Sequence, residues 1–99
     1  MPDPVFIEVV TSPNCVHSPR AMKVAKRAVT KRHDAIILRE ISIATEEGMQ
    51  LAQAFEVKAT PTIAINGRVA FVGVPTMDVM DGLITATLQK EKERNSYFF

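Results

Sequence analysis

Apolar positions fall into runs of three different kinds along the chain. Residues 5–10 read VFIEVV, a β-branched and aromatic stretch that Thr11, Ser12, Pro13 and Asn14 close with turn chemistry, which predicts a buried strand. From Pro19 the period changes. Ala21, Met22, Ala25, Ala28 and Val29 recur at three- and four-residue spacing, while Arg20, Lys23, Lys26, Arg27 and Lys31 cover the remaining surface. This predicts an amphipathic helix over residues 19–32 with a basic outer face that reads as solvated surface. Pro19 fits only in the first turn, where its missing N–H leaves no bond unmade.

Residues 35–43 predict a second strand through Ile36, Ile37, Leu38, Ile41 and Ile43. Thr45, Glu46 and Glu47 then supply the cap and acidic first turn of a helix ending near Phe55, with Leu51, Ala52 and Phe55 inward. Residues 62–65 and 68–72 are short strands joined by Asn66-Gly67, a pair suited to a turn in which both residues take positive φ. Thr76 caps a last helix over residues 77–93, whose core stripe is expected to be Val79, Met80, Leu83, Ile84 and Leu88. Gly82 weakens that helix by up to ~1 kcal/mol relative to alanine. The order β-α-β-α-β-β-α predicts an α/β domain with a mixed sheet, parallel in its first half and closed by an antiparallel hairpin.

Composition adds mainly exclusions. Ninety-nine residues, 46% apolar and 23% charged, make one globular domain spanning 1–99. A net charge of +1 gives no field for nucleic acid or an anionic membrane. No apolar run approaches the ~20 residues that span a bilayer, and no secretory signal is visible, so the expected location is cytoplasmic. One cysteine forms no internal disulfide, and with His17 and His33 alone beside it no zinc-type spacing exists, so no metal or resident cofactor is expected. Tyr97, Phe98 and Phe99 are expected to fold back on the body. The chain reads as a monomer, with a dimer left open by those aromatics and the unpaired thiol.

The candidate chemistry lies in "TSPNCVHSPRAM", residues 11–22. Cys15 falls between the first strand and the first helix, where unpaired backbone N–H groups and the positive end of the helix dipole favour thiolate over thiol. His17 adds positive charge when protonated. A free cysteine is more often a small buried hydrophobe, but a turn containing Pro13, Asn14, His17 and Ser18 is poor core material.

With "SPNCVHSPRAM" after the first strand, "ATPTIAING" before the hairpin and "VGVP" before the last helix, the chain resembles the thioredoxin and glutaredoxin superfamily. It is most similar there to the small archaeal and bacterial glutaredoxin-like thioredoxins with a C-P-x-C-P active site. The resemblance covers residues 5 to about 93 and implies the thioredoxin fold, a four-stranded mixed sheet flanked by helices. It implies that Cys15 is the attacking cysteine and that Ser18 stands at the resolving position. It makes Pro61 a cis-proline facing the active site, with the Thr60 backbone pairing with an extended substrate beside Pro13 and Asn14.

The departure is Ser18, which leaves two readings: a natural one-thiol site, or a serine introduced in place of cysteine. The implied activity is thiol-disulfide exchange, with Cys15 forming mixed disulfides that an external thiol releases. The implied partners are disulfide-containing or glutathionylated proteins, with a thioredoxin-type reductase or glutathione, or another external thiol, as co-substrate. The alternative is a non-catalytic module that binds peptides or proteins in the groove between Cys15 and Pro61. Iron–sulfur binding of the C-G-F-S glutaredoxin type is disfavoured by Val16 and His17, which stand where that site has Gly-Phe.

Overall fold

The computed structural model describes residues 4–96. Seven elements follow the expected order: β1 (Val5–Thr11), α1 (Ser18–Thr30), β2 (Ile36–Ser42), α2 (Glu46–Ala54), β3 (Thr62–Ile65), β4 (Arg68–Val72) and α3 (Met77–Ser96). They form the thioredoxin fold, a four-stranded mixed sheet in the order β2-β1-β3-β4 with helices on both faces.

Alternation along β1 assigns its residues to the two faces. Val5, Ile7 and Val9 enter one core with Ala21, Ala25 and Ala28 of α1, Ile63 and Ile65 of β3, and Met80 and Ile84 of α3. Val10 enters a smaller core on the opposite face with Ile41 and Ala52. The three alanines of α1 let that helix lie close on the sheet, and all three are completely buried. On the second face Glu8 is buried and paired with Arg39, its register neighbour on β2. At the far end of α1, Arg32 donates to the Thr85 hydroxyl at 2.8 Å and to the Asp81 carbonyl at 3.3 Å, tying α1 to α3.

Two pairings determine what meets at the functional end. β1 and β2 run parallel with Thr11 opposite Ser42. β1 and β3 run antiparallel with Val10 opposite Thr62. The segment after β1 therefore emerges beside the end of β2 and the approach to β3, at the carboxyl edge of the parallel pair, where open α/β sheets place their sites.

Local sequence accounts for the boundaries. Thr45 and Thr76 cap α2 and α3, accepting from the Gly48 and Val79 N–H groups at 2.9 and 3.1 Å. Asn66 and Gly67 take φ of 50° and 80°, completing the tight hairpin. α1 stops two residues short of the expected end, because the Lys31 N–H turns back to the Val29 carbonyl. β2 stops at Ser42, although Ile43 N–H still reaches the Thr11 carbonyl at 2.9 Å. Val79 departs from the expected core stripe of the last helix. It is 38% exposed, because Met80 and Ile84 take the inward positions one residue along and leave Val79 outside their arc. The expected packing of Tyr97, Phe98 and Phe99 falls outside the described residues.

Two helix glycines give opposite predictions. A Cβ on Gly48 would lie 1.8 Å from the Ser42 carbonyl oxygen and 2.7 Å from its carbon, whereas one on Gly82 meets nothing within 4 Å. Gly82→Ala is expected to stabilise the protein by up to ~1 kcal/mol in urea unfolding. Gly48→Ala is expected to destabilise it by about 1–3 kcal/mol despite alanine's higher helix propensity.

Candidate active site

Cys15 sits in the turn between β1 and α1, half-buried, with its N–H bonded to the Ser12 carbonyl at 3.0 Å. The N-cap position of α1 is His17, whose side chain makes no capping bond, and Pro19 occupies the first turn. The Ser18 N–H donates to the Cys15 carbonyl at 3.2 Å, and the His17 and Ser18 amides make a lesser contribution in favour of the charged sulfur.

The Ser18 side chain completes the arrangement. Its residue is buried, 3% exposed, and its oxygen accepts the Ser12 N–H at 3.3 Å. That bond occupies a lone pair and leaves the hydroxyl proton for the sulfur. From the other side the Cys15 thiol donates to the Thr60 carbonyl oxygen at 3.4 Å, 45 residues away in sequence. The Thr60–Pro61 peptide bond is cis, and the Pro61 carbonyl accepts the Gly73 N–H at 2.8 Å, anchoring this loop to the end of β4.

These groups hold the Cys15 thiol below its ordinary value. The Ser18 hydroxyl is the largest cause and the Thr60 side chain the next, with the His17 and Ser18 backbone N–H groups adding to them and partial desolvation opposing. Each donor stabilises the charged sulfur more than the neutral one. A folded-state pKa below the unfolded one means that this site contributes stability once the thiol is ionised in both states. The contribution is lost as pH falls through the folded value.

A cleft of about 540 Å³ opens beside the sulfur, between α1 and the end of β2. Cys15, Ser18, Pro13 and Met22 line it, with Lys23 and Lys26 on the α1 wall and Glu40 opposite. Glu40 accepts the Thr11 hydroxyl at 2.8 Å. A second groove of about 460 Å³, between the α2–β3 connection and β4, does not reach the cysteine.

Thus Cys15, Ser18, Thr60 and Pro61 come together with Pro13 at the cleft edge. Asn14 is exposed and donates its N–H to the Ser12 hydroxyl at 3.4 Å, and it does not line the cleft. The His17 imidazole is exposed, and what His17 brings to the sulfur is its backbone N–H. The sequence reading missed the Thr60 side chain and the cleft residues Lys23, Lys26 and Glu40. A signal existed for the lysines, since 19, 22, 23 and 26 form one i, i+3, i+4, i+7 face of α1. Among the described residues, no group of three or more His, Cys, Asp and Glu could hold a metal ion. No helix among them is long and apolar enough to cross a membrane.

Comparison with known proteins places these features. The family model described as "Thioredoxin domain" matches residues 5–85. The thioredoxin of Methanocaldococcus jannaschii is 38% identical over 76 residues, covering 77% of this chain and 87% of that protein. A probable thioredoxin of Archaeoglobus fulgidus is 26% identical over 93 residues, covering 94% and 96% of the two chains. Among solved structures, the thioredoxin from Aeropyrum pernix superposes with a TM-score of 0.62 at 19% identity, over 85% of this chain and 75% of that one, a likeness of fold alone.

Alkylation of Cys15 by iodoacetamide, followed against pH, is expected to inflect below the ordinary thiol value. Ser18→Ala removes the largest stabilising donor, so its profile is expected to shift upward, while the Thr60 side chain and the amides keep it from returning fully to that of an unperturbed thiol.

Proposed function

The chain belongs to the thioredoxin family, and from that premise we propose that it performs thiol-disulfide exchange with Cys15 as its single nucleophile. Its homologues support a thioredoxin-type redox function. The finer reading is a one-thiol cycle. The Cys15 thiolate attacks a substrate disulfide, the S–S bond breaks, a mixed disulfide forms on Sγ, and the departing thiolate carries away the electron pair. An external thiol then attacks the mixed disulfide and restores the Cys15 thiolate.

The observation that carries this reading is the Ser18 hydroxyl acting on the Cys15 sulfur. An oxygen at that position cannot be the second partner in a disulfide, yet it can donate a hydrogen bond to the sulfur when Cys15 is the attacking thiolate or the leaving one. Lowering a thiol's pKa raises the thiolate fraction near neutral pH and makes that sulfur a better leaving group in the second step. Both half-reactions therefore use the same donors. Substrate disulfides in proteins would lie against the Thr60–Pro61 segment, whose carbonyl faces the sulfur, with Pro13 on the flank. Glutathionylated proteins fit the same cycle, with glutathione or a comparable thiol as the releasing co-substrate.

Release of the thiol from a protein mixed disulfide, measured with excess external thiol, tests the proposal. Cys15→Ser is expected to leave no turnover. Ser18→Cys is expected to add dithiol reduction of insulin, because a sulfur at that position can close an internal disulfide and release substrate without an external thiol. Turnover that survives Cys15→Ser contradicts the one-thiol cycle.

A further inference from the structure

The charges of α1 work against the helix that carries them. No Asp or Glu occurs between Glu8 and Asp34, and six of the twelve Lys and Arg residues fall within residues 20–32. α2 and α3 open with Glu46, Glu47 and Asp78, so that negative charge meets the positive end of each helix. α1 has no acidic residue in its first turn, and Arg20 stands there instead. A cation at that end opposes the helix dipole. Nor do these charges account for the state of the sulfur, since hydrogen bonds lower the Cys15 thiol and no charged side chain is among the causes. A local rule broken without local gain marks a position kept for function.

The cations share one face. Ala21, Ala25 and Ala28 place the opposite side of α1 in the core. Arg20, Lys23 and Arg27 form an i, i+3, i+7 row with Lys26 beside it, covering about 10.5 Å of helix axis. All four are exposed, and their side chains have no hydrogen-bond or ion-pair partner among the described residues. Lys31 and Arg32, past the end of the helix, are paired with Asp81 and Asp34.

Resting on the reading of Cys15 as a nucleophile toward protein disulfides, we propose that the outer face of α1 is a docking surface for the acidic face of a partner protein, engaged before sulfur exchange. Its length matches two turns of an acidic helix at 5.4 Å per turn. Four cations of one sign beside the nucleophile speed encounter with an acidic partner and disfavour a basic one. The positive area is bounded, which suits a compact protein face better than a long polyanion. Glu40 stands across the cleft from Lys23 and Lys26, and Glu46 and Glu47 open the helix that follows β2. A chain of phosphates running past α1 toward that edge would meet repulsion. Docking adds no covalent step: the thiolate still attacks the disulfide, and the departing thiolate still leaves with the electron pair.

Three synthetic peptides test this, each with one cysteine joined by a disulfide to 5-thio-2-nitrobenzoate and with flanks of Glu, Gln or Lys. Attack of Cys15 on the peptide sulfur releases thionitrobenzoate, whose absorbance gives the rate for the full chain. In wild type the expected order is Glu above Gln above Lys, with the Glu-to-Lys ratio shrinking as salt is raised. Arg20→Gln/Arg27→Gln is expected to lower that ratio about three- to tenfold, as for two exposed charge contacts. The rate with the Gln peptide is expected to stay within about twofold, which separates docking from thiolate reactivity and from misfolding. A wild-type ratio of one, or a ratio unaltered by the substitutions, overturns the docking surface and leaves the one-thiol cycle standing. Binding of double-stranded DNA that the substitutions abolish, with no discrimination among the peptides, gives the face to a polyanion and also overturns it. No release from any peptide overturns the one-thiol cycle, and this inference with it.

Discussion

The antiparallel register of β1 and β3 is the constraint on which the site depends. With Val10 opposite Thr62, the turn leaving β1 must face the two residues that precede β3, and the Cys15 sulfur arrives 3.4 Å from the Thr60 carbonyl. A one-residue slip would turn Ile63 and Ile65 out of the main core and expose several fully buried side chains. Each such side chain is worth roughly 1.5–3 kcal/mol of burial. The cores on the two faces therefore specify the geometry at the sulfur. The parallel register of β1 with β2 acts similarly on the other flank, carrying Glu40 and Ser42 to the same edge and making the second wall of the cleft.

On that frame the serine is tied into the turn that carries the cysteine. Ser18 is buried at the start of α1 and accepts the Ser12 N–H, so its oxygen is held in place while its proton is directed to sulfur. The helix start is left without a side-chain cap, and the Ser18 N–H bonds the Cys15 carbonyl while the His17 and Ser18 amides add a lesser share to the lowering of the thiol. In the proposed one-thiol cycle a single sulfur with these donors reacts in both directions with external sulfur.

Elements were legible where one local signal decided them. Asn66-Gly67 specifies its hairpin, Thr45 and Thr76 specify their helix starts, and the change of period after Ser18 specifies α1. Val79 was misassigned because an apolar residue beside a stripe fits a 3.6-residue period almost as well as one within it, and only the crossing of α3 over the sheet decides between them. The close approach of Gly48 to the Ser42 carbonyl has no sequence signature, since it arises from how tightly the β2–α2 connection folds. Cys15 and its surroundings were legible through the turn chemistry and the family motif. The contribution of His17 was read as imidazole charge, whereas its backbone N–H is what acts on the sulfur. Lys23 and Lys26 read as solvated surface because helix periodicity tells which residues share a face and not what that face borders.

The central claim is that hydrogen bonds from Ser18, Thr60 and the amides at the start of α1 lower the Cys15 thiol below its ordinary value. Thiolate ultraviolet absorbance, recorded against pH as the difference between wild type and Cys15→Ser, tests it most directly. A midpoint below the ordinary thiol value is the predicted result. A midpoint at or above that value would contradict the account.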